Sequence, residues 1–354
     1  MAERVVSNRK VIAGFEIIEK VGVGAMGEVF KARQIIMERI VALKILLPKV
    51  AANESFKERF FREARFSARL NHPNIINGID CGEEGPNIYF AMEFVDGHTI
   101  KQILREKGCM PLKDACSVLL QMAEALSYFG KNKLIHRDIK PDNIMLDSYG
   151  HAKLCDLGLA KFAHYSDSGE MDESSTTDPN GTAPSLTRAG HIAGTPNYMS
   201  PEVARLESKI DARADIYGLG ATFYHVVTGR PPFEENSSKE VMKRHVHDEA
   251  PSLCDAKIGV PESWSCIVSK MTAKSPSDRY QNADELIEDI RAATAGREVK
   301  ANTFAAKSSV AMPRGRKKMT GMISLPRKQL YRPGGSKPLP LSLAGARSER
   351  RTRR

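Results

Sequence analysis

Residues 136–143 read His136-Arg137-Asp138-Ile139-Lys140-Pro141-Asp142-Asn143, and Asp156-Leu157-Gly158 follows a short interval later. Asn143 lies five positions after Asp138 and Asp156 lies eighteen after it, separations that suit two loops joined by a short strand pair. Such a pair would bring the two loops together, one on each side of it. Two carboxylates and an amide at this separation can organise charge around a transferring phosphoryl group.

Upstream of these loops, apolar and polar positions alternate over 15–23, 28–32 and 39–46, and the period of two predicts three strands of an antiparallel sheet. Residues 55–70 carry Phe56, Phe60, Phe61, Ala64, Ser67 and Ala68 near helical period, and Asn71-His72-Pro73 ends that helix. Strands near 75–81 and 88–94 complete the sheet. From Leu112 the period turns helical, with Leu119, Leu120, Ala123, Leu126 and Ser127 on one face. Further helices are predicted over 212–228, 237–247, 262–272 and 283–293. The class is α+β and bilobal: a small antiparallel β lobe with one main helix over 15–93, a hinge at 94–97 and a larger, mostly α lobe over 98–296. The cleft between the lobes is the natural nucleotide site. Residues 1–14 form a short lead, and no periodicity is sustained past 296, so 297–354 reads as a disordered basic tail.

Charge sharpens that last boundary. The net charge of +10 averages two unlike pieces: residues 300–354 hold 15 Lys or Arg against the single acid Glu349, whereas the remainder holds 38 basic and 42 acidic residues. Such a tail suits an acidic protein or a nucleic acid, with salt-dependent attraction. The six cysteines, Cys81, Cys109, Cys116, Cys155, Cys254 and Cys266, contain no C-x-x-C pair, which excludes a zinc ribbon and a disulfide framework and points to a reducing, cytoplasmic compartment. No apolar run approaches the roughly 20 residues of a membrane span. Residues 1–10 also lack the apolar centre of a signal peptide.

Gly22-Val23-Gly24-Ala25-Met26-Gly27-Glu28-Val29 fits G-x-G-x-x-G-x-V, in which missing side chains let backbone amides approach phosphate oxygens. Dinucleotide folds use a similar pattern but need a helix directly after the third glycine, where 28–32 alternates as a strand. Val41-Ala42-Leu43-Lys44 then places a lysine on a strand seventeen positions after Gly27. Together with 136–143 and Asp156, these motifs closely resemble the eukaryotic-type (Hanks-type) serine/threonine protein kinases, and are most similar to their bacterial branch, over about 15–291.

That resemblance implies the protein-kinase fold, ATP and Mg²⁺, and Ser or Thr hydroxyls of protein substrates as acceptors. Val21, Gly22, Gly24, Gly27, Val29, Ala42, Met92, Glu93 and Val95 would surround the nucleotide, and Lys44 would hold its α and β phosphates with Glu63 as ion-pair partner. Glu58 competes with Glu63 for that role; the two project about 140° apart on a helix, so only one faces the site. Asp138 would orient the acceptor hydroxyl and take its proton, and Lys140 would stabilise the transferring group. Asn143 and Asp156 supply the hard oxygens that Mg²⁺ prefers. A lysine two positions after Asp138 resembles the serine/threonine class rather than the tyrosine kinases, and Leu157 replaces the usual Phe of D-F-G.

Gly194-Thr195-Pro196-Asn197-Tyr198-Met199-Ser200-Pro201-Glu202 resembles the segment that receives the hydroxyl-bearing residue, with Ser200 in place of the usual Ala. By the same resemblance Thr195 ties Asp138 to Lys140, Glu202 pairs with Arg279, and Asp215 bonds the catalytic-loop backbone from below. Arg137 would sense phosphate on the activation segment, with Thr187, eight positions before Thr195, and Ser185 as autophosphorylation sites. His136 reads as scaffold, Trp264 as core, and Cys155 as a packing residue at the pocket edge. Two rival readings are a pseudokinase or scaffold whose basic tail recruits a partner, and a kinase of small metabolites. The complete set of catalytic positions argues against the first, and 194–202 against the second.

Overall fold

The computed structural model describes residues 10–24, 27–156, 161–162, 196–257 and 259–302. The chain divides into two units, Met1–Met312 and Pro313–Arg354, and the second falls wholly outside the described residues. Ser185, Thr187 and Thr195 also lie outside them.

Strands β1 (Val11–Ile12), β2 (Phe15–Val23), β3 (Gly27–Gln34) and β4 (Arg39–Leu46) are followed by helices α1 (Pro48–Ala51) and α2 (Glu54–Ser67), then β5 (Gly78–Glu84) and β6 (Asn87–Glu93). The strands form one antiparallel sheet in the order β1-β2-β3-β4-β6-β5. Alternation sorts their side chains between two faces. Phe15, Ala32, Val41, Leu43, Tyr89 and Ala91 pack together on one face, while Leu46, Ile88 and Phe90 turn to the other and bury against Phe60 and Ala64 of α2. Lys44 stands opposite Val29 on β3 and Phe90 on β6. Register alone thus delivers its side chain to the helix-covered face.

Gly27 is demanded by this sheet as well as by any phosphate. A Cβ there would stand 2.3 Å from the Ile45 carbonyl oxygen, whereas one at Gly24 meets nothing nearer than 3.7 Å. Gly27→Ala is expected to cost the nucleotide-free protein roughly 1–3 kcal/mol in urea unfolding, as overpacking does, and Gly24→Ala far less. Equal losses would show that the strand approach does not restrict the position.

Phe94, Val95 and Asp96 lead into the second lobe, which opens with β7 (Gly97–Thr99), α3 (Ile100–Lys107), α4 (Leu112–Lys131) and β8 (Leu134–Ile135). β9 (Ile144–Asp147) and β10 (Ala152–Leu154) form the expected short strand pair, and β7 joins it as a third strand. Gly97 therefore begins this sheet instead of ending the hinge. A Cβ at Gly97 would lie 2.1 Å from the Leu146 carbonyl oxygen, so the pairing with β9 needs a glycine. Helix α3 starts at a reciprocal capping box: the Gln102 amide donates to Thr99 Oγ1 at 3.1 Å, and Gln102 Oε1 accepts from the Thr99 amide at 2.7 Å.

The remaining helices are α5 (Pro201–Ala204), α6 (Arg213–Thr228), α7 (Ser238–His247), α8 (Leu253–Ala256), α9 (Glu262–Met271) and α10 (Ala283–Thr294). α6 is buried on nearly every side, as its almost continuous apolar sequence requires. Its Ile216, Leu219 and Phe223 share one core with Leu119 and Met122 of α4, Trp264 of α9 and Leu286 of α10. Among the described residues no helix is long and apolar enough to cross a membrane.

The tail boundary expected at 297 falls short of the packed lobe. Val299 and Ala301 are buried in the same core. The Asp289 carboxylate accepts the backbone amides of Lys300 and Ala301 at 2.8 and 2.9 Å and the Tyr280 hydroxyl at 2.8 Å. Small apolar residues in a basic run carry no helical or strand period, so this strap is invisible to periodicity.

Candidate active site

The β-lobe half of the site is set by register. Val29, Ala42, Lys44 and Met92 fall on the face of the sheet that carries Lys44, since Val29 pairs with Lys44 and Ala42 with Met92. Above them Gly22 pairs with Val29, and the Gly24 amide donates to the Gly27 carbonyl at 2.8 Å to close the glycine hairpin. Val21 at its base remains exposed. Val95 is buried where the chain leaves the β lobe.

Lys44 does not form the expected pair with Glu63 here. Its Nζ lies 3.8 Å from Asp156 Oδ1, and no ion pair within 4.0 Å joins it to Glu63. Burial pushes the Glu63 carboxyl up to about 7; the Lys44 charge opposes this shift and the Asp156 charge adds to it. The choice follows from solvation, because ionising Glu63 costs desolvation whereas the Asp156 side chain is 54% exposed. The native pKa of Glu63 lies above its ordinary 4.5, so the folded chain holds that proton more tightly than the unfolded one. The resulting stability is fully present below about pH 4.5 and is lost as pH rises through about 7. Glu63→Gln is expected to flatten the pH slope of urea stability across that window; an unchanged slope would contradict the shift.

The catalytic-loop half hangs from α6. Asp215 is buried, and its two carboxylate oxygens accept the backbone amides of His136 and Arg137, each at 2.7 Å. Burial pushes this carboxyl up to about 6, against the two amides that favour its charge. Arg137 sits at φ 68° and Asp156 at φ 60°. These left-handed conformations are held in place by surrounding bonds and bracket the cluster. Lys140 Nζ lies 2.6 Å from Asp138 Oδ2. Asn143 Nδ2 donates to both the Asp138 carbonyl and Asp138 Oδ2 at 2.9 Å. The Cys155 amide donates to the Asn143 carbonyl at 2.9 Å, which ties the strand before Asp156 to the loop.

The donor set fits a magnesium ion. With Nδ2 of Asn143 committed to Asp138, its Oδ1 is left as a neutral hard oxygen, and Asp156 adds a carboxylate. Among the described residues no group of three or more metal-ligating side chains gathers. Two protein ligands completed by phosphate oxygens and water is the usual habit of Mg²⁺.

His136 and Cys155 are scaffold. His136 is fully buried, edge-on to Phe129 at 5.9 Å, and its Nδ1 accepts the Asp138 amide at 3.3 Å. Burial, chiefly, pulls it down to about 4, so it is neutral. Burial and then the Asp156 charge push the Cys155 thiol up to about 12, and its Sγ donates to the Asn143 carbonyl at 3.2 Å. That thiol is no nucleophile.

Beyond the loop, Pro196–Tyr198 forms a single turn, and the Tyr198 hydroxyl lies 2.7 Å from His225 Nδ1 on α6. Glu202 and Arg279 form a bidentate pair at 2.7 Å on both arms. The same guanidinium donates to the carbonyls of Ala273, Arg213 and Lys274, so its five N–H groups are all used. One contact had no signal in the sequence. Glu93, the last residue of β6, pairs through Oε1 with Lys153 on β10 at 2.7 Å, three positions before Asp156. A single lysine sixty positions away cannot be singled out without the fold.

The protein kinase domain family matches residues 15–290. The chain is 35% identical over 287 residues to serine/threonine-protein kinase PrkC of Bacillus subtilis, covering 80% of this chain and 41% of that protein. It is 38% identical over 280 residues to PknB of Mycobacterium tuberculosis, covering 78% of this chain and 42% of PknB. A probable serine/threonine-protein kinase of Clostridium perfringens is 35% identical over 290 residues, 82% of this chain and 39% of that protein. The chain thus spans about two fifths of the length of these relatives.

Proposed function

The chain belongs to the protein kinase domain family, and from that premise we propose that it transfers the γ-phosphoryl group of ATP, with Mg²⁺, to Ser or Thr hydroxyls of protein substrates. One observation carries the reading: Asp138 Oδ2 receives both Lys140 Nζ and Asn143 Nδ2, so a proton acceptor, a cation and the side chain that offers a metal-ligating oxygen meet at one point. The relatives' names include serine/threonine-protein kinase, which sets the acceptor class.

ATP supplies the phosphoryl group and Mg²⁺ the charge that draws its phosphates together. Lys44 would hold the nucleotide's phosphates from above. Asp138 orients the acceptor hydroxyl and receives its proton as the new O–P bond forms and the bond to ADP breaks. Lys140 stabilises the charge that builds on the transferring group. Asn143 and Asp156 would hold the metal, and Val29, Ala42, Met92 and Val95 would enclose the base, with Glu93 lending its backbone. The six free cysteines suit a reducing, cytoplasmic setting.

Arg137 supports control by phosphate. Its Nε is buried with no hydrogen-bond partner among the described residues, and a guanidinium in that state is a ready fork for a phosphate on Thr187 or Ser185. The basic tail remains an arm for an acidic partner. Incubation with γ-labelled ATP, Mg²⁺ and a generic protein acceptor, followed by acid hydrolysis, tests the function. Labelled phosphoserine or phosphothreonine is expected, and label on no amino acid would favour a scaffold.

A further inference from the structure

His245 on α7 is wholly buried, and catalysis as described makes no use of it. Its Nδ1 lies 2.7 Å from the hydroxyl of Tyr217 on α6, and Phe233 meets the ring edge-on at 4.8 Å. Tyr217 is itself buried, and its hydroxyl makes no other hydrogen bond among the described residues. Were Nδ1 protonated, that hydroxyl hydrogen would be left without an acceptor, so Nδ1 accepts and Nε2 carries the ring proton. Nε2–H is then a buried donor with no partner of good hydrogen-bonding geometry among the described residues. A buried donor left open in this way is costly and needs an explanation.

The explanation lies in what it faces. Burial and then the positive charge of Lys274 hold His245 neutral, down to about 3; a long hydrogen-bonding approach to the Asn197 backbone acts the other way, and Arg244 adds to the depression. Asn197 is the middle of the Pro196–Tyr198 turn, and its Nδ2 donates to the Phe233 carbonyl at 3.4 Å. His245 and Phe233 thus form the floor of the segment expected to receive the acceptor residue. Lys274 fixes that floor by donating to the His245 carbonyl at 3.0 Å while lying over the Phe233 ring.

We propose that His245 is a positioning residue for the peptide-binding segment, its Nε2–H tightening its long approach to the Asn197 backbone into a full hydrogen bond when a protein acceptor is engaged. The inference rests on the kinase reading above. It assigns a job to this poorly partnered donor: the turn is held at one height, so the acceptor peptide finds its seat already formed.

Steady-state kinetics of the full chain with myelin basic protein as acceptor test it. Gln places its Nε2–H where the His245 Nε2–H lies, whereas Asn reaches only the Nδ1 position. His245→Asn is expected to raise the KM for the acceptor about tenfold, from one lost buried hydrogen bond, with kcat and the KM for ATP unchanged. His245→Gln is expected to stay near the parent. Tyr217→Phe, which releases the tautomer lock without touching the ring, is expected to raise acceptor KM about threefold and serves as the deciding variant if His245→Asn does not fold. An acceptor KM unmoved in both His245→Asn and Tyr217→Phe, or raised equally by Asn and Gln together with the KM for ATP, overturns the proposal while leaving the kinase reading intact. A parent chain that transfers no phosphate to the acceptor overturns both.

Discussion

Asparagine at position 138 is expected to lower kcat by about 10³-fold, within the range general base catalysis supplies, while leaving nucleotide affinity nearly unchanged. The carboxylate oxygen Asp138 Oδ2 accepts from Lys140 Nζ at 2.6 Å and from Asn143 Nδ2 at 2.9 Å. An amide in its place can take no proton from an acceptor hydroxyl, and one of its two ends can no longer accept from these donors. The loop itself should persist, because its backbone is suspended from Asp215 through the amides of His136 and Arg137, which do not involve residue 138. Steady-state kcat at saturating acceptor, paired with calorimetric titration of ATP in Mg²⁺, checks both halves. A loss of less than tenfold would remove Asp138 from the role of base.

Glu202→Leu carries the largest expected effect on stability. Arg279 has no exposed side-chain surface, Glu202 is 4% exposed, and their bidentate contact is 2.7 Å on each arm. Removing the carboxylate leaves a guanidinium buried against Tyr217 with only carbonyl partners. Breaking a buried pair in this way costs about 3–5 kcal/mol, which should appear as a large fall in the urea midpoint. Replacing both partners, Glu202→Leu with Arg279→Met, is expected to recover part of that loss, because no uncompensated charge remains. A double variant no more stable than Glu202→Leu alone would mean that the cost lies in packing. Glu202 is the last residue of the segment expected to receive the acceptor, so the same variant tests whether the lobe's stability is linked to acceptor binding.

The β lobe was legible because its strands alternate cleanly. The span 15–23 is found as β2, 39–46 as β4, and 28–32 within β3, and register then places Lys44 on the helix-covered face. Buried helices such as α6 and α9 were legible from sustained apolar period. Helix α3 was missed although Thr99 and Gln102 form a capping box, since eight residues offer too few periods to count. The strap at Val299 and Ala301 shows no period at all.

In the site, the residues themselves were visible as motifs, but their partnerships were only partly so. The loop contacts among Asp138, Lys140 and Asn143 are local, with spacings of two and five positions. The Lys44–Asp156 contact in place of Lys44–Glu63 is decided by desolvation of Glu63, a property of tertiary burial that no motif encodes. The pairs Glu93–Lys153 and Tyr217–His245 join positions far apart in sequence and become apparent only when the fold brings them together.

The most direct measurement is a map of phosphorylated residues by mass spectrometry after the chain has been incubated with ATP and Mg²⁺, beside the Asp138→Asn variant. Phosphate on Ser or Thr of the parent, with Thr187 or Ser185 among the sites, and none on the variant, is the predicted result. A parent that gains no phosphate on itself or on an added protein acceptor, or a variant phosphorylated as fully as the parent, would contradict a phosphoryl-transfer site built on Asp138.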